Sequence, residues 1–161
     1  DSTTADALVM QTSIGQGDTL VTPMEMALIA SAVANDGEMI KPRYVDNIVS
    51  ADGQAVKTFY KESLGTVMSE SEANTLTELM KGVVQNGTAV SLSDLPYNIA
   101  GKTGTAEHGS DGETPHSWFV GFSNADDPDI VIAVVAENGG YSSEVAVPIA
   151  RQVIEAYYAQ Q

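Results

Sequence analysis

Ile130-Val131-Ile132-Ala133-Val134-Val135 is an apolar run with no polar residue to mark a solvent side. A half-buried strand alternates apolar and polar positions, so a strand without alternation predicts cover on both faces, as a central strand has. Extended to Ala136, the run is still far below the roughly 20 residues that span a bilayer. Two other stretches read as companion strands, about Asn98 to Glu107 and Ser117 to Ser123. Short polar loops join them to the third, about Ile130 to Glu137, and the three predict an antiparallel meander.

Helices supply the covering layers. Thr22-Pro23-Met24-Glu25 is a capping box in which Thr22 caps, Pro23 takes the first helical position and Glu25 reaches back to the cap amide. That helix is predicted to stop at Asn35-Asp36-Gly37, with Leu28, Ile29, Ala32 and Val33 inward. Ser69-Glu70-Ser71-Glu72 opens a second helix, whose Ala73, Leu76, Leu79, Met80, Val83 and Val84 recur every three or four residues as one stripe lying on a core. A closing helix, roughly Val145 to Gln160, places Ala146, Ile149, Ala150, Val153, Ile154 and Tyr157 on one face, with Pro148 tolerable only in its first turn. Between the first two helices, Tyr44 to Val49 and Ala55 to Tyr60 flank Asp52-Gly53 and predict a hairpin. The fold class is α/β, an antiparallel sheet flanked by helices, with the closing helix on one face and the first two toward the other.

Composition narrows the function. A chain of 161 residues fits one domain that buries its own core. Seven Lys and Arg against 22 Asp and Glu leave a net charge of −15, which repels phosphate backbones and anionic lipid headgroups and argues against a nucleic-acid partner. Without Cys there is no disulfide, thiol nucleophile or sulfur-rich zinc site. The chain opens at Asp1 rather than Met, and we expect a processed piece of something longer.

Lys102-Thr103-Gly104-Thr105 sets a cation, two hydroxyls and a missing side chain within one predicted strand. A ligand carboxylate would find Lys102 as a point charge and Thr105 as a donor, while Gly104 permits close approach to the backbone. Strand alternation puts 102 and 104 on one side and 103 and 105 on the other unless Gly104 introduces a bulge. The plainer reading is a surface lysine beside a glycine kink. Other candidates are weaker. Gly15-Gln16-Gly17 begins like a dinucleotide fingerprint, but position 20 is Leu and no βαβ unit surrounds it. His108 and His116 bracket a loop and, with Asp111 and Glu113, could in principle hold a metal, although such loop histidines are more often solvated. Glu107 stands next to the ledge as a possible general base but reads more readily as a solvated strand end, and Glu62, Glu70 and Glu72 read as surface. Trp118 and Phe119 read as packing residues.

Ile99-Ala100-Gly101-Lys102-Thr103-Gly104-Thr105-Ala106-Glu107, followed after a polar loop by Trp118-Phe119-Val120-Gly121-Phe122, resembles the third and fourth strands of penicillin-binding proteins. Ile14-Gly15-Gln16-Gly17-Asp18 running into Val21-Thr22-Pro23 and on to Ala34-Asn35-Asp36-Gly37 is similar to that family, as is Gly87-Thr88-Ala89. The likeness runs in order from about residue 12 to 158, and the Gly-Gln-Gly and Thr-Pro pattern looks more like the high-molecular-mass, class B type.

The resemblance implies an acyl-serine D,D-transpeptidase that cross-links peptidoglycan stem peptides and captures β-lactams, with three motifs: Ser-x-x-Lys, Ser-x-Asn and Lys-Thr-Gly. Only the third is present, since no Ser here has Lys three residues on or Asn two residues on. Residues 1–161 would then be the C-terminal portion of a transpeptidase domain, inactive alone, with no catalytic nucleophile, no metal and no cofactor. It further implies that Lys102 polarises the substrate carboxylate end, the Thr105 hydroxyl holds that carboxylate, the Thr105 amide is one oxyanion donor, and Thr103 and Gly104 shape the strand. The parent would be anchored at the extracytoplasmic face of the bacterial cell membrane, with division or elongation proteins as partners. A non-catalytic scaffold or a β-lactam sensor is the alternative. Because strands of the missing part would join the sheet, the apolar strand is expected to have lost a neighbour here, and to dimerise through that edge or be wrapped by residues 1–12.

Overall fold

A computed structural model describes residues 2–17, 19–109 and 112–161. The elements run α1 (Ser2–Ser13), α2 (Pro23–Ala34), β1 (Glu38–Ile40), β2 (Asn47–Val49), β3 (Ala55–Thr58), β4 (Ser63–Thr66), α3 (Glu70–Asn86), a 3-10 turn (Val90–Leu92), β5 (Ala100–Ala106), β6 (His116–Phe122), β7 (Val131–Ala136) and α4 (Ala146–Tyr158). Both capping boxes close. Thr22 Oγ1 accepts the Glu25 N–H at 3.2 Å and Glu25 Oε2 accepts the Thr22 N–H at 2.7 Å, and Ser69 and Glu72 repeat the exchange at 3.3 and 2.8 Å. These bonds hold the Glu25 and Glu72 carboxyls below the usual carboxylate range. Asp36 and Gly37, at φ 54° and 88°, turn the chain out of α2 where the Asn-Asp-Gly signal predicts.

Strands β5, β6 and β7 form the expected meander in the order β5-β6-β7, and β2 and β3 form the expected hairpin. The β1–β4 pair is additional, three to four residues per strand and too short to leave a period in the sequence. Two cores cover the sheet. Phe119, Ile132 and Val134 pack with Val84, Leu92, Ile99, Val147, Ala150 and Ile154 beneath α4 and the end of α3. On the other face Ala100 and Phe122 pack with Val33 of α2 and Ala125, edged by Met68 and Met80. Helix α3 feeds both cores from beside β5, so it is not confined to the α2 face. The fully buried Phe119 ring occupies a slot left by the facing pair Gly101 and Gly121, where an added Cβ would come within 2.4 and 3.1 Å of the ring.

The inward residues differ in detail from the expected stripes. Ala30 is buried on α2 while Ile29 is 45% exposed, because the sheet is approached through small side chains and the larger one is displaced to the flank. Leu76 and Leu79 of α3 and Ile149 and Val153 of α4 also remain exposed, and Val147 is buried instead. Residues 2–13, which take in most of the segment expected to wrap the β7 edge, form a helix.

The sheet's hydrogen-bond phase identifies its free groups. The Ser123 N–H donates to the Ile130 carbonyl at 3.1 Å, so in β6 the residues Ser117, Phe119 and Gly121 bond toward β7, and His116, Trp118, Val120 and Phe122 bond toward β5. It follows that Val131, Ala133 and Val135 of β7, and Gly101, Thr103 and Thr105 of β5, direct their N–H and C=O groups to the two outer edges. The apolar strand β7 has cover on both faces, as its composition requires, and among the described residues it is an edge strand, as expected for this chain taken alone.

Candidate functional site

Strand β5 carries Lys102-Thr103-Gly104-Thr105 along the second outer edge. Its register with β6 is continuous from Ala100↔Phe122 to Ala106↔His116, and Gly104 introduces no bulge. Strict alternation therefore holds: Lys102 and Gly104 share one face, Thr103 and Thr105 the other. Lys102 is exposed, Thr103 is 7% exposed, and Gly104 and Thr105 are half-buried. What the four residues share is the edge between the faces, where the backbone groups of Thr103 and Thr105 point away from β6. Gly104 lies opposite Trp118, whose Cβ would be 3.2 Å from a Cβ added at position 104, so the glycine keeps this stretch low beside the indole.

Three side chains meet the ledge. Lys102 Nζ donates to the Thr103 carbonyl at 2.6 Å, placing the ammonium on the free edge. Gln16 Nε2 donates to the Thr105 carbonyl at 3.1 Å from 89 residues away in sequence. Thr88, just after α3, has its hydroxyl 2.5 Å from the Thr103 hydroxyl and so grips the strand from its buried face. The sequence marked Gly15-Gln16-Gly17 and Gly87-Thr88-Ala89 as segments without assigning these contacts. The available signal is a polar residue between two glycines, here at φ 77° and 74°, which present Gln16 on a tight bend.

The ledge edge offers a charge, hydrogen-bond donors in the outward N–H groups of Thr103 and Thr105, and acceptors in their carbonyls. This pattern suits an extended, anionic-ended peptide added as a further strand. Glu107 is exposed just past the strand end. Across the mouth of the adjoining loop His108 and His116, the first residue of β6, stack face to face, with ring centroids 3.8 Å apart and planes at 18°. His116 Nδ1 accepts the Asn138 N–H at 3.0 Å, while His108 lies 3.5 Å from Glu113 and 3.0 Å from the Thr114 carbonyl. The stacked rings direct their nitrogens to separate partners, and no metal-holding group of three His, Cys, Asp or Glu exists among the described residues. Asp111, weighed as a fourth member of that cluster, and Asp18 lie outside the described residues. Glu62, Glu70 and Glu72 are exposed, Glu62 in an ion pair with Lys41 and Glu72 in its helix cap.

A family model described as the penicillin binding protein transpeptidase domain matches residues 2–155. The peptidoglycan D,D-transpeptidase PbpA of Mycolicibacterium smegmatis is 36% identical over 160 residues, covering 93% of this chain and 32% of that protein. Penicillin-binding protein A of M. tuberculosis, solved as a ceftriaxone acyl-enzyme, superimposes with a TM-score of 0.83 at 36% identity over 91% of this chain and 34% of the other. Its imipenem and penicillin G acyl-enzymes each give 0.81 at 37% identity, over 94% of this chain and 33% and 34% of theirs. The chain thus spans about a third of the length of the relatives it matches.

Proposed function

The chain belongs to the penicillin-binding protein transpeptidase family, and from that premise we propose that the protein carrying it is a class B-like, serine-type D,D-transpeptidase. It would cross-link peptidoglycan stem peptides through an acyl-serine intermediate and be acylated by β-lactams. The observation that carries this reading is the open edge of β5. There Lys102 stands at the strand rim and the Thr105 N–H points outward, available as one of the two donors that stabilise a tetrahedral oxyanion. Lys102 attracts and polarises the carboxylate end of the peptide, and the Thr105 hydroxyl binds that carboxylate. Thr103, anchored by Thr88, and Gly104, low against Trp118, keep the strand in place.

On this reading residues 1–161 form the C-terminal portion of the catalytic domain, and Ser-x-x-Lys and Ser-x-Asn belong to sequence upstream. The substrate places the reaction outside the cytoplasmic membrane, with division or elongation proteins as partners. Residues 1–161 alone are inactive, since loss of a serine nucleophile by itself removes about a million-fold of rate even where an oxyanion hole survives. Incubation of the 161-residue chain with a fluorescent penicillin, followed by denaturing electrophoresis and intact mass, is expected to give no adduct. Restoring the upstream sequence is expected to give a stoichiometric one. An adduct on the short chain would place the nucleophile within it and refute the assignment, and no adduct on the long one would favour a non-catalytic scaffold.

A further inference from the structure

The Gly15-Gln16-Gly17 bend has no part in the roles assigned so far, yet it delivers a carboxamide to the outer edge of β5. Gln16 is half-buried, and its backbone N–H is spent on the Gln11 carbonyl at 2.9 Å, which fixes the bend against the end of α1. The side chain alone reaches across, with Nε2 3.1 Å from the Thr105 carbonyl. A primary amide is the closest side-chain analogue of a peptide unit, with a polarised N–H and a carbonyl on one planar group. The acceptor it occupies is one that an extended peptide pairing with β5 would need, because Thr105 directs its carbonyl away from β6.

We propose that Gln16 is a specificity-determining residue that stands in for the ligand's peptide N–H at the Thr105 carbonyl and is displaced when an extended ligand brings an N–H of its own. The proposal rests on the transpeptidase reading. With Gln16 present, a ligand N–H replaces one hydrogen bond by another and gains little. A ligand without that N–H leaves Gln16 where it is. The residue thereby levels the affinity of the edge for ligands with and without an amide at this position. Removing the carboxamide leaves the carbonyl open and rewards only the ligand that carries the donor.

The test uses the full-length protein that carries this chain, with penicillin G, which has a side-chain amide N–H, and imipenem, which has a hydroxyethyl group and no such N–H. Second-order acylation rate constants are measured for the wild type, Gln16→Ala and Gln16→Glu, the last retaining shape while losing the donor. The ratio of penicillin G to imipenem rates is expected to rise in both variants by about threefold to tenfold, the worth of one neutral hydrogen bond. An unchanged or lower ratio overturns the proposal. So does an equal fall of both rates with a lower melting temperature, which would make Gln16 a structural strut. Failure of the wild type to be acylated by either compound would instead refute the transpeptidase reading on which the proposal stands.

Discussion

The Thr88 hydroxyl lies 2.5 Å from that of Thr103, joining the segment after α3 to the buried side of β5. Thr103 is 7% exposed, so its hydroxyl depends on this partner, whereas Thr88 is exposed and can turn to water. Thr103→Val keeps the shape and β-branching of the side chain and removes the bond. It is expected to cost about 1 kcal/mol in urea unfolding, and Thr88→Val less. A double-mutant cycle should return a coupling of about 0.5–1 kcal/mol, and additive effects would show that the pair does not interact.

The slot for Phe119 makes two glycines intolerant. An alanine methyl at Gly101 would come within 2.4 Å of the Phe119 ring, and one at Gly121 would meet the Ala100 carbonyl at 2.4 Å. The Phe119 ring has no exposed side toward which to yield, and the Ala100 carbonyl belongs to the paired strand. Gly101→Ala and Gly121→Ala are each expected to destabilise by about 1–3 kcal/mol, Gly121→Ala more, because backbone must move. Thermal unfolding measures the cost. Melting temperatures equal to wild type in both variants would mean that the ring does not fill this slot.

A polar cluster at the end of the sheet sets a pH dependence. Tyr158 Oη donates to Asp129 Oδ1 at 2.6 Å, and Ser123 and Asn124 reach the same carboxylate at 3.0 and 2.9 Å. Burial pushes the Asp129 carboxyl up, but the Tyr158, Ser123 and Asn124 hydrogen bonds together outweigh it and hold it below its ordinary range. Burial, and then the bond to Asp129, push the Tyr158 phenol up. A depressed carboxylate contributes stability that is fully present above its unfolded value of about 3.9 and is lost as pH falls through the lower folded value. A raised phenol contributes below its unfolded value of about 10 and loses that contribution as pH rises through the higher folded value. Tyr158→Phe is therefore expected to cost about 1 kcal/mol at neutral pH, a modest figure because the Asp129 side of the cluster faces solvent. It should also flatten both the acid and the alkaline limbs of stability against pH. Limbs as steep as those of wild type would exclude Tyr158 as their source.

How much of this was legible in the residues depends on whether the signal is local. The capping boxes at Thr22 and Ser69 and the Asp52-Gly53 turn are written in neighbouring residues, and each forms where its pattern places it. The meander was legible from apolar runs and turn residues, and so was the strand that contains Lys102. The unread features are relations between distant segments. Nothing near Gln16 says that its amide meets Thr105, and nothing near Thr88 says that it meets Thr103. The inward faces of α2 and α4 were misjudged at Ile29, Ile149 and Val153 for a related reason. A helical stripe shows which residues are apolar, but how close the sheet comes decides which of them it covers. For β7 the residue pattern spoke of faces, whereas strand order is a matter of edges.

That open edge leads to the final prediction, the dimerisation of the isolated 161-residue chain through β7. The outward N–H and C=O groups of Val131, Ala133 and Val135 are centred on Ala133 and can pair with their own copy in an antiparallel, two-fold arrangement. Beside them Ile130, Ile149, Val153 and Tyr157 line an open groove of about 420 Å³ between the sheet edge and α4, apolar surface that such a pairing would remove from water. Proline substitution separates edge pairing from general loss of the sheet. Ala133→Pro removes only an outward N–H, so the bonds to β6 survive and the dimer is expected to weaken by more than about tenfold. Val134→Pro removes an N–H directed at Phe119 in the ladder, and should unfold the sheet as a whole. Light scattering on the wild type and Ala133→Pro, with amide exchange at 131, 133 and 135, gives the answer. A wild-type monomer whose three edge amides exchange freely would remove the case for self-association, because the apolar edge would then be stable in water without a partner.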